Sequence, residues 1–250
     1  MTRAASLPRF SADYRVRFEE CGPDGLVRGS ALLGIVQDVA WQHSEAVGLT
    51  RAWYAERGLL WLVRALDVRL LAPIAQGDAI TAVTRIEGYR RVLARRVTRV
   101  ASPDGTPVAR VLTDWVMTAN GGPARIDDEI VARFPDAGTF EPVRVDRSDP
   151  PPDAAALPLA VRLRDIDPVQ HVNNGVYLDL LDESVDAAGG ALLSTFPRRA
   201  LLEYVDAARR ADALVARAWP ADAGWGHRLE RAADGSTLLR GRLEAGAGPD

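Results

Sequence analysis

Between residues 164 and 183 the chain reads RDIDPVQHVNNGVYLDLLDE, which places Asp167, His171, Asn173 and Asn174 directly ahead of an amphipathic segment. A carboxylate and an imidazole this close together are a pair suited to moving protons near neutral pH. The start of a helix adds unpaired backbone N–H groups and the positive end of its dipole, where developing negative charge is stabilised. The same residues also have a plainer use. Asn173 or Asn174 can cap the helix, and Asp-Pro opens turns in many proteins.

The elements around this cluster occur twice. A shift of 145 positions lays VRFEECGPDGLVRGSALLGIVQD (16–38) on VRLRDIDPVQHVNNGVYLDLLDE (161–183) without a gap, Val16 meeting Val161 and Leu33 meeting Leu178. Further on, PDGTPVARVLTDWV (103–116) matches ADGSTLLRGRLEAG (233–246) at a shift of 130. Two matches in the same order imply two copies of one fold. Gly22 and Leu26 stand where the later copy has Asp167 and His171, so only that copy carries the reactive pair.

Each copy predicts a short strand (Tyr14–Phe18; Leu159–Leu163), a polar loop and one long helix, about Ser30–Val47 and about Gly175–Ala188. The first helix is apolar around most of its circumference and should be buried. The second sets Val176, Leu180, Leu181 and Val185 on one stripe and turns Asp179, Asp182 and Asp186 away from it. Strands at 59–71, 78–89, 91–100 and 107–119 follow in the first copy. Asp104-Gly105 and Asp234-Gly235 mark hairpin turns. The layout is α+β, and the Pro/Gly/Asp-rich stretch 119–158 reads as a linker between the copies.

Composition narrows the partners. A net charge of −3 with pI near 5.7 argues against a nucleic-acid binder. No apolar run reaches the ~20 residues of a membrane helix, and the N-terminus lacks a secretory pattern. Cys21 is the single cysteine, so no internal disulfide forms and a cytoplasmic location is expected. No metal-ligand spacing or phosphate-binding glycine loop is present. All 31 basic residues are arginine.

These motifs resemble a known family. DIDPVQHVNNGVYLDLLDESV is similar to the second-repeat motif of acyl-ACP thioesterases, in which an acid precedes His-Val-Asn-Asn and a helix follows. LLGIVQDVAWQHSEAVGL, GLLWLVRALDVRLLAPIAQGD and ARVLTDWVMTANGGPARIDDEI resemble its first repeat, and the likeness spans roughly 12–245. The DIDP stretch is also similar to 4-hydroxybenzoyl-CoA thioesterase. The resemblance implies two tandem hotdog repeats, each a long central helix wrapped by an antiparallel sheet. Residues 1–120 would form the acyl-binding repeat without catalytic residues, 121–157 a linker, and 158–250 the catalytic repeat.

The implied activity is hydrolysis of fatty acyl-ACP to free fatty acid and ACP at one site per chain, without cofactor or metal. An acyl-CoA thioesterase and a non-catalytic acyl-binding protein are the alternatives, and a homodimer is left open. Asp167 would attack the carbonyl or activate water. His171 would orient it or shuttle the proton, and Asn173 would assist. The backbone N–H groups of Asn174 and Gly175 would receive the oxyanion. The chain departs from the plant-type pattern at Val169, where that pattern has Asn. It departs again at Ala207 and Ala208, where Glu-Cys follows Leu-Glu-Tyr. The basic run Arg85, Arg90, Arg91, Arg95, Arg96 and Arg99 is a candidate surface for an acidic carrier, or else a solvated face.

Overall fold

A computed structural model describes residues 7–135, 137–190, 195–222 and 224–246. The chain is α+β, with one large antiparallel sheet and few helices. The first half supplies β1 (Phe10–Arg15), α1 (Gly29–Ala46), α2 (Arg51–Glu56), β2 (Leu59–Leu70), β3 (Ala79–Arg90), β4 (Leu93–Ala101), β5 (Pro107–Ala119) and the short β6 (Gly122–Pro123). After α3 (Asp128–Arg133) come β7 (Ala155–Ala160), α4 (Val176–Ala187), β8 (Arg198–Tyr204), β9 (Ala213–Ala221), β10 (Gly224–Arg231) and β11 (Thr237–Ala245).

Strand order is symmetric about the middle of the sheet. It runs β1-β3-β4-β5-β2-β8-β11-β10-β9-β7, so the second half mirrors the first about the β2–β8 seam. There Ala65 pairs with Glu203 and Leu70 with Arg198. The Arg199 guanidinium spans the seam and grips buried Asp67 with two bonds of 2.8 Å. Such a fork is geometrically specific as well as strong, and it pins the register of the two halves.

Helix α1 buries Leu32, Leu33, Ile35, Val36 and Val39 against the sheet, as its apolar circumference requires. It ends before Gly48, whose φ of 85° suits a residue without Cβ. Helix α4 buries Leu178, Leu181 and Val185 in the same core. The two helices meet at their N-termini. A Cβ on Gly29 would lie 3.6 Å from Leu178, and one on Gly175 would lie 3.0 Å from the Ser30 carbonyl oxygen.

Four sequence expectations need correction. Both short strands end earlier than expected, at Arg15 and Ala160, and 3₁₀ turns occupy Phe18–Glu20 and Leu163–Asp165. Phe18 and Leu163, expected to end those strands, are 78% and 70% exposed. The turn wins because Glu20 and Asp165 accept the N–H groups of Arg17 and Arg162, at 2.8 and 2.7 Å. Asp182 faces the protein rather than water: burial raises its carboxyl to about 7, against the pull of Arg198. Arg95 and Arg96 leave the basic run, since both are buried. Arg95 turns to the outer face, where Asp114 and the Glu141 carbonyl take it, and Arg96 turns inward to His43. The stretch between the halves is also more structured than its composition suggests, for it holds α3 and the start of β7.

Candidate active site

The loop ahead of α4 is a narrow hairpin. Ile166 bridges Val172, the Asp167 N–H donates to the His171 carbonyl at 2.9 Å, and the Gln170 N–H returns to the Asp167 carbonyl at 3.0 Å. Closing so tight a turn forces Gln170 to φ 65°, a left-handed conformation costly for a residue with Cβ. The Asp167 side chain braces it, Oδ1 accepting from the Val169 N–H at 2.9 Å and the His171 N–H at 3.3 Å. Oδ2 has no hydrogen-bond partner among the described residues, nor has the His171 ring. Carboxylate and imidazole share one small loop, joined through backbone rather than directly.

At the helix start, Asn173 Oδ1 accepts the Gly175 N–H at 2.9 Å. Asn173 thus forms a side-chain turn just ahead of the helix, whose N-cap is Gly175, and it uses the Gly175 donor expected to meet an oxyanion. The Asn174 N–H keeps no partner among the described residues and is the donor left over. The Tyr204 hydroxyl holds this position by donating to the Asn174 carbonyl at 2.7 Å. Tyr177 stacks edge-on to Tyr204 at 5.1 Å and accepts the Ala208 N–H at 2.9 Å. Burial pushes the Tyr177 hydroxyl up to about 12, so it stays protonated.

The end of β8 forms the facing wall. Val172 N–H donates to the Ala208 carbonyl at 2.9 Å, which ties the loop to the segment where Ala207 and Ala208 replace the plant-type Glu-Cys pair. Asp206 is the carboxylate nearest in sequence. Burial would raise its pKa, but the Ala207 N–H and Arg231 outweigh that and lower it. Glu203 is 4% exposed and receives Arg64 at 2.8 Å and Arg147 at 3.3 Å through Oε1, while Oε2 is buried without a partner. Sequence reasoning noted Leu-Glu-Tyr as a motif but saw no role for Glu203 or Tyr204. Arg64, the cross-seam cation, carried no local signal.

Most of these groups open on one cavity of about 1230 Å³. Asp167, His171, Asn173 and Asn174 lie along it with Tyr204 and Glu203, while the first half contributes Trp41, Tyr54, Trp61, Tyr89, Trp115 and Phe134. Trp53, within α2, donates its backbone N–H to the capping Thr50 side chain at 3.2 Å and packs edge-on to Tyr54 at 5.0 Å; it is not part of the wall. The Asp38 carboxylate takes Tyr14 of β1 at 2.8 Å and Gln42 at 2.7 Å, a helix-to-sheet tie. His43 and His227 are buried, with burial depressing them to about 4 and about 3. Among the described residues no group of three or more His, Cys, Asp or Glu could hold a metal ion, and no helix is long and apolar enough to cross a membrane.

Comparison with known proteins adds a lineage. The profile of the acyl-ACP thioesterase N-terminal domain matches residues 8–134, and that of the C-terminal domain matches 149–224. An oleoyl-acyl carrier protein thioesterase of Arabidopsis thaliana is 23% identical over 209 residues, covering 73% of this chain and 58% of the relative. The chain thus spans little more than half of that plant protein. A structure titled as a putative oleoyl thioesterase from Lactobacillus plantarum superposes with a TM-score of 0.83 at 23% identity, covering 99% of both chains. The 12:0-ACP thioesterase from Umbellularia californica gives 0.79 at 22% identity, covering 94% of this chain and 93% of the other. At that identity these likenesses speak for the fold.

Proposed function

The chain belongs to the acyl-ACP thioesterase family, and from that premise we propose that it hydrolyses a fatty acyl thioester on acyl carrier protein to free fatty acid and the carrier thiol. In this reading two hotdog units, 1–120 and 158–250, are joined by 121–157. The first holds the acyl chain and the second does the chemistry, in the cytoplasm and without a cofactor. One observation carries the reading: a single cavity is walled by aromatic side chains of the first unit and by Asp167, His171, Asn173 and Asn174 of the second. Both walls come from one chain, so each chain has one complete site.

The chemistry follows from which atoms are open. Asp167 Oδ1 is committed to its loop, so Oδ2 is the oxygen that takes a proton from water. That water attacks the thioester carbonyl carbon, and the Asn174 N–H at the helix start meets the oxyanion. A donor aimed at such a charge contributes about 2.7–4 kcal/mol. When the tetrahedral intermediate collapses, the C–S bond breaks and the proton returns through His171 to the departing sulfur. Proton transfer of this kind is worth about 10²–10⁴ in rate. Asn173 holds the helix start in register rather than touching the reacting atoms.

The test is thiol release from one fatty acyl group presented on acyl carrier protein and on CoA. Faster turnover on the carrier protein is expected. Equal or faster turnover on CoA overturns the carrier assignment, and no release above background on either overturns the enzyme reading in favour of an acyl-binding protein.

A further inference from the structure

The wall of the first half is not a plain hydrocarbon sleeve. Arg96 is 5% exposed and lines the cavity. One of its nitrogens donates to His43 Nδ1 at 2.9 Å and to Thr84 Oγ1 at 3.3 Å. Its other nitrogens have no partner, and no carboxylate pairs with it, among the described residues. Arg95 shows what the chain does when a buried guanidinium is structural, since Asp114 neutralises it with bonds of 2.7 and 2.9 Å. Arg96 has no such counter-ion. Burial pulls it down to about 10, still charged at neutral pH.

Unpartnered donors accumulate along the same wall. The Tyr89 hydroxyl is buried without a partner; burial raises its pKa, and the positive charge of Arg96 opposes that rise. Trp115 Nε1 and Gln37 Nε2 are buried and unpartnered in the same cavity. A saturated hydrocarbon end would strip water from these groups and return no hydrogen bond, which is costly for a charged donor. Position matters too. Arg96 bonds to His43, thirteen residues along α1 from Ser30, which touches Gly175. At helical rise that is roughly 20 Å from the start of α4. Arg96 therefore sits deep in the acyl half, far from where the thioester would be cleaved.

From this we propose that Arg96 and Tyr89 select an acyl group bearing a hydrogen-bond-accepting oxygen toward its distal end: a hydroxyl, a ketone or a carboxylate. The inference rests on the thioesterase reading for the identity of the reaction, but not for the preference of the pocket. A guanidinium with open donors and a phenol form a fork that an oxygen acceptor satisfies and a methyl group does not. Sites built to bond a substrate oxygen reject analogues lacking it far more strongly than apolar sites discriminate size.

Two readouts separate the questions. The first is kcat/KM for chain-matched thioesters whose distal end is methyl, hydroxyl, ketone or carboxylate. The second is equilibrium binding of the corresponding free acids, followed by quenching of the cavity tryptophans, which needs no turnover. Oxygenated chains are expected to be favoured on the order of 10²-fold in both. The two neutral arms and the carboxylate arm tell a hydrogen-bond preference from an ion-pair preference. Arg96→Met should collapse the ratio to near unity. Tyr89→Phe, which removes one oxygen and threatens folding least, should reduce it several-fold. Binding preference without thiol release upholds the pocket assignment and sinks the reaction. Thiol release with equal use of methyl-ended chains, unchanged in Tyr89→Phe, overturns the assignment and leaves the reaction standing.

Discussion

The loops at 21–28 and 166–173 have the same backbone and different side chains. Cys21 bridges Val27 as Ile166 bridges Val172. The Gly22 N–H meets the Leu26 carbonyl at 2.8 Å where Asp167 meets His171 at 2.9 Å, and Val27 ties to Ile74 at 2.8 Å where Val172 ties to Ala208. At the position needing a left-handed residue the first loop has Gly25, φ 75°, and the second has Gln170, φ 65°. The first hairpin therefore closes without an imidazole and without an acid at the Asp167 position, but it has a carboxylate of its own: Asp24 Oδ1 accepts the Leu26 N–H at 3.0 Å, as Asp167 Oδ1 accepts the His171 N–H. The imidazole is thus not needed to close the hairpin, whereas a bracing carboxylate is common to both copies. Asp167 differs in standing at the first position of the turn, with Oδ2 left open and the strain at Gln170 to brace. The comparison turns on separating those two uses.

The sharpest break is Asp167→Ala with and without Gln170→Gly. Turnover should fall by about 10²–10⁴ in both, because the glycine removes the strain but supplies no base. Recovery of activity in the double variant would reduce Asp167 to a brace. His171→Ala comes next. A loss on the order of 10² in kcat, with KM little changed, is expected if the ring relays the proton. A change confined to KM would place it in binding instead.

The mid-helix positions sharpen the contrast further. In the first copy Gln37 faces the cavity, whereas its counterpart Asp182 is half-buried near Arg198. Its carboxyl is raised from 3.8 to about 7, so the folded state holds a proton the unfolded chain has lost between those values. Stability from that proton is present below about 4 and lost as pH rises to about 7. Asp182→Asn should thus raise Tm at pH 8 by about 2 °C or more and leave it near wild type at pH 4. A lower Tm at pH 8 would show that the Arg198 attraction outweighs burial. Gln170→Gly alone has the smallest effect. Relief of the left-handed strain should add up to about 1 kcal/mol, or roughly 2–4 °C, with turnover unchanged; a drop in Tm would mean the Gln170 side chain holds the loop.

The duplication was legible in the sequence because the loop-helix segment repeats without a gap, and the hairpins because Asp-Gly pairs announce them. Asp104 and Asp234 do accept the N–H two residues on, at 3.1 and 2.9 Å. The strand ends were not legible. Val-Arg-Phe and Val-Arg-Leu alternate like strands, and only the side-chain bonds of Glu20 and Asp165 reveal turns. The cluster at 167–174 stood out through its crowding of polar types. Tyr204 reaches it from β8 over a separation of 30 residues, and Arg64 comes across the seam to Glu203 over 139. A local pattern carries no record of such a meeting. Arg96 was hidden for the opposite reason: among so many arginines it looked like surface.

Asp167→Asn puts the central claim to the most direct test. The amide keeps an oxygen to brace the loop through Val169 and His171 but cannot take a proton from water. Thiol release from acyl-ACP should fall at least about 100-fold while Tm stays within a degree or two of wild type. Near-normal release from a folded Asp167→Asn protein would contradict the account.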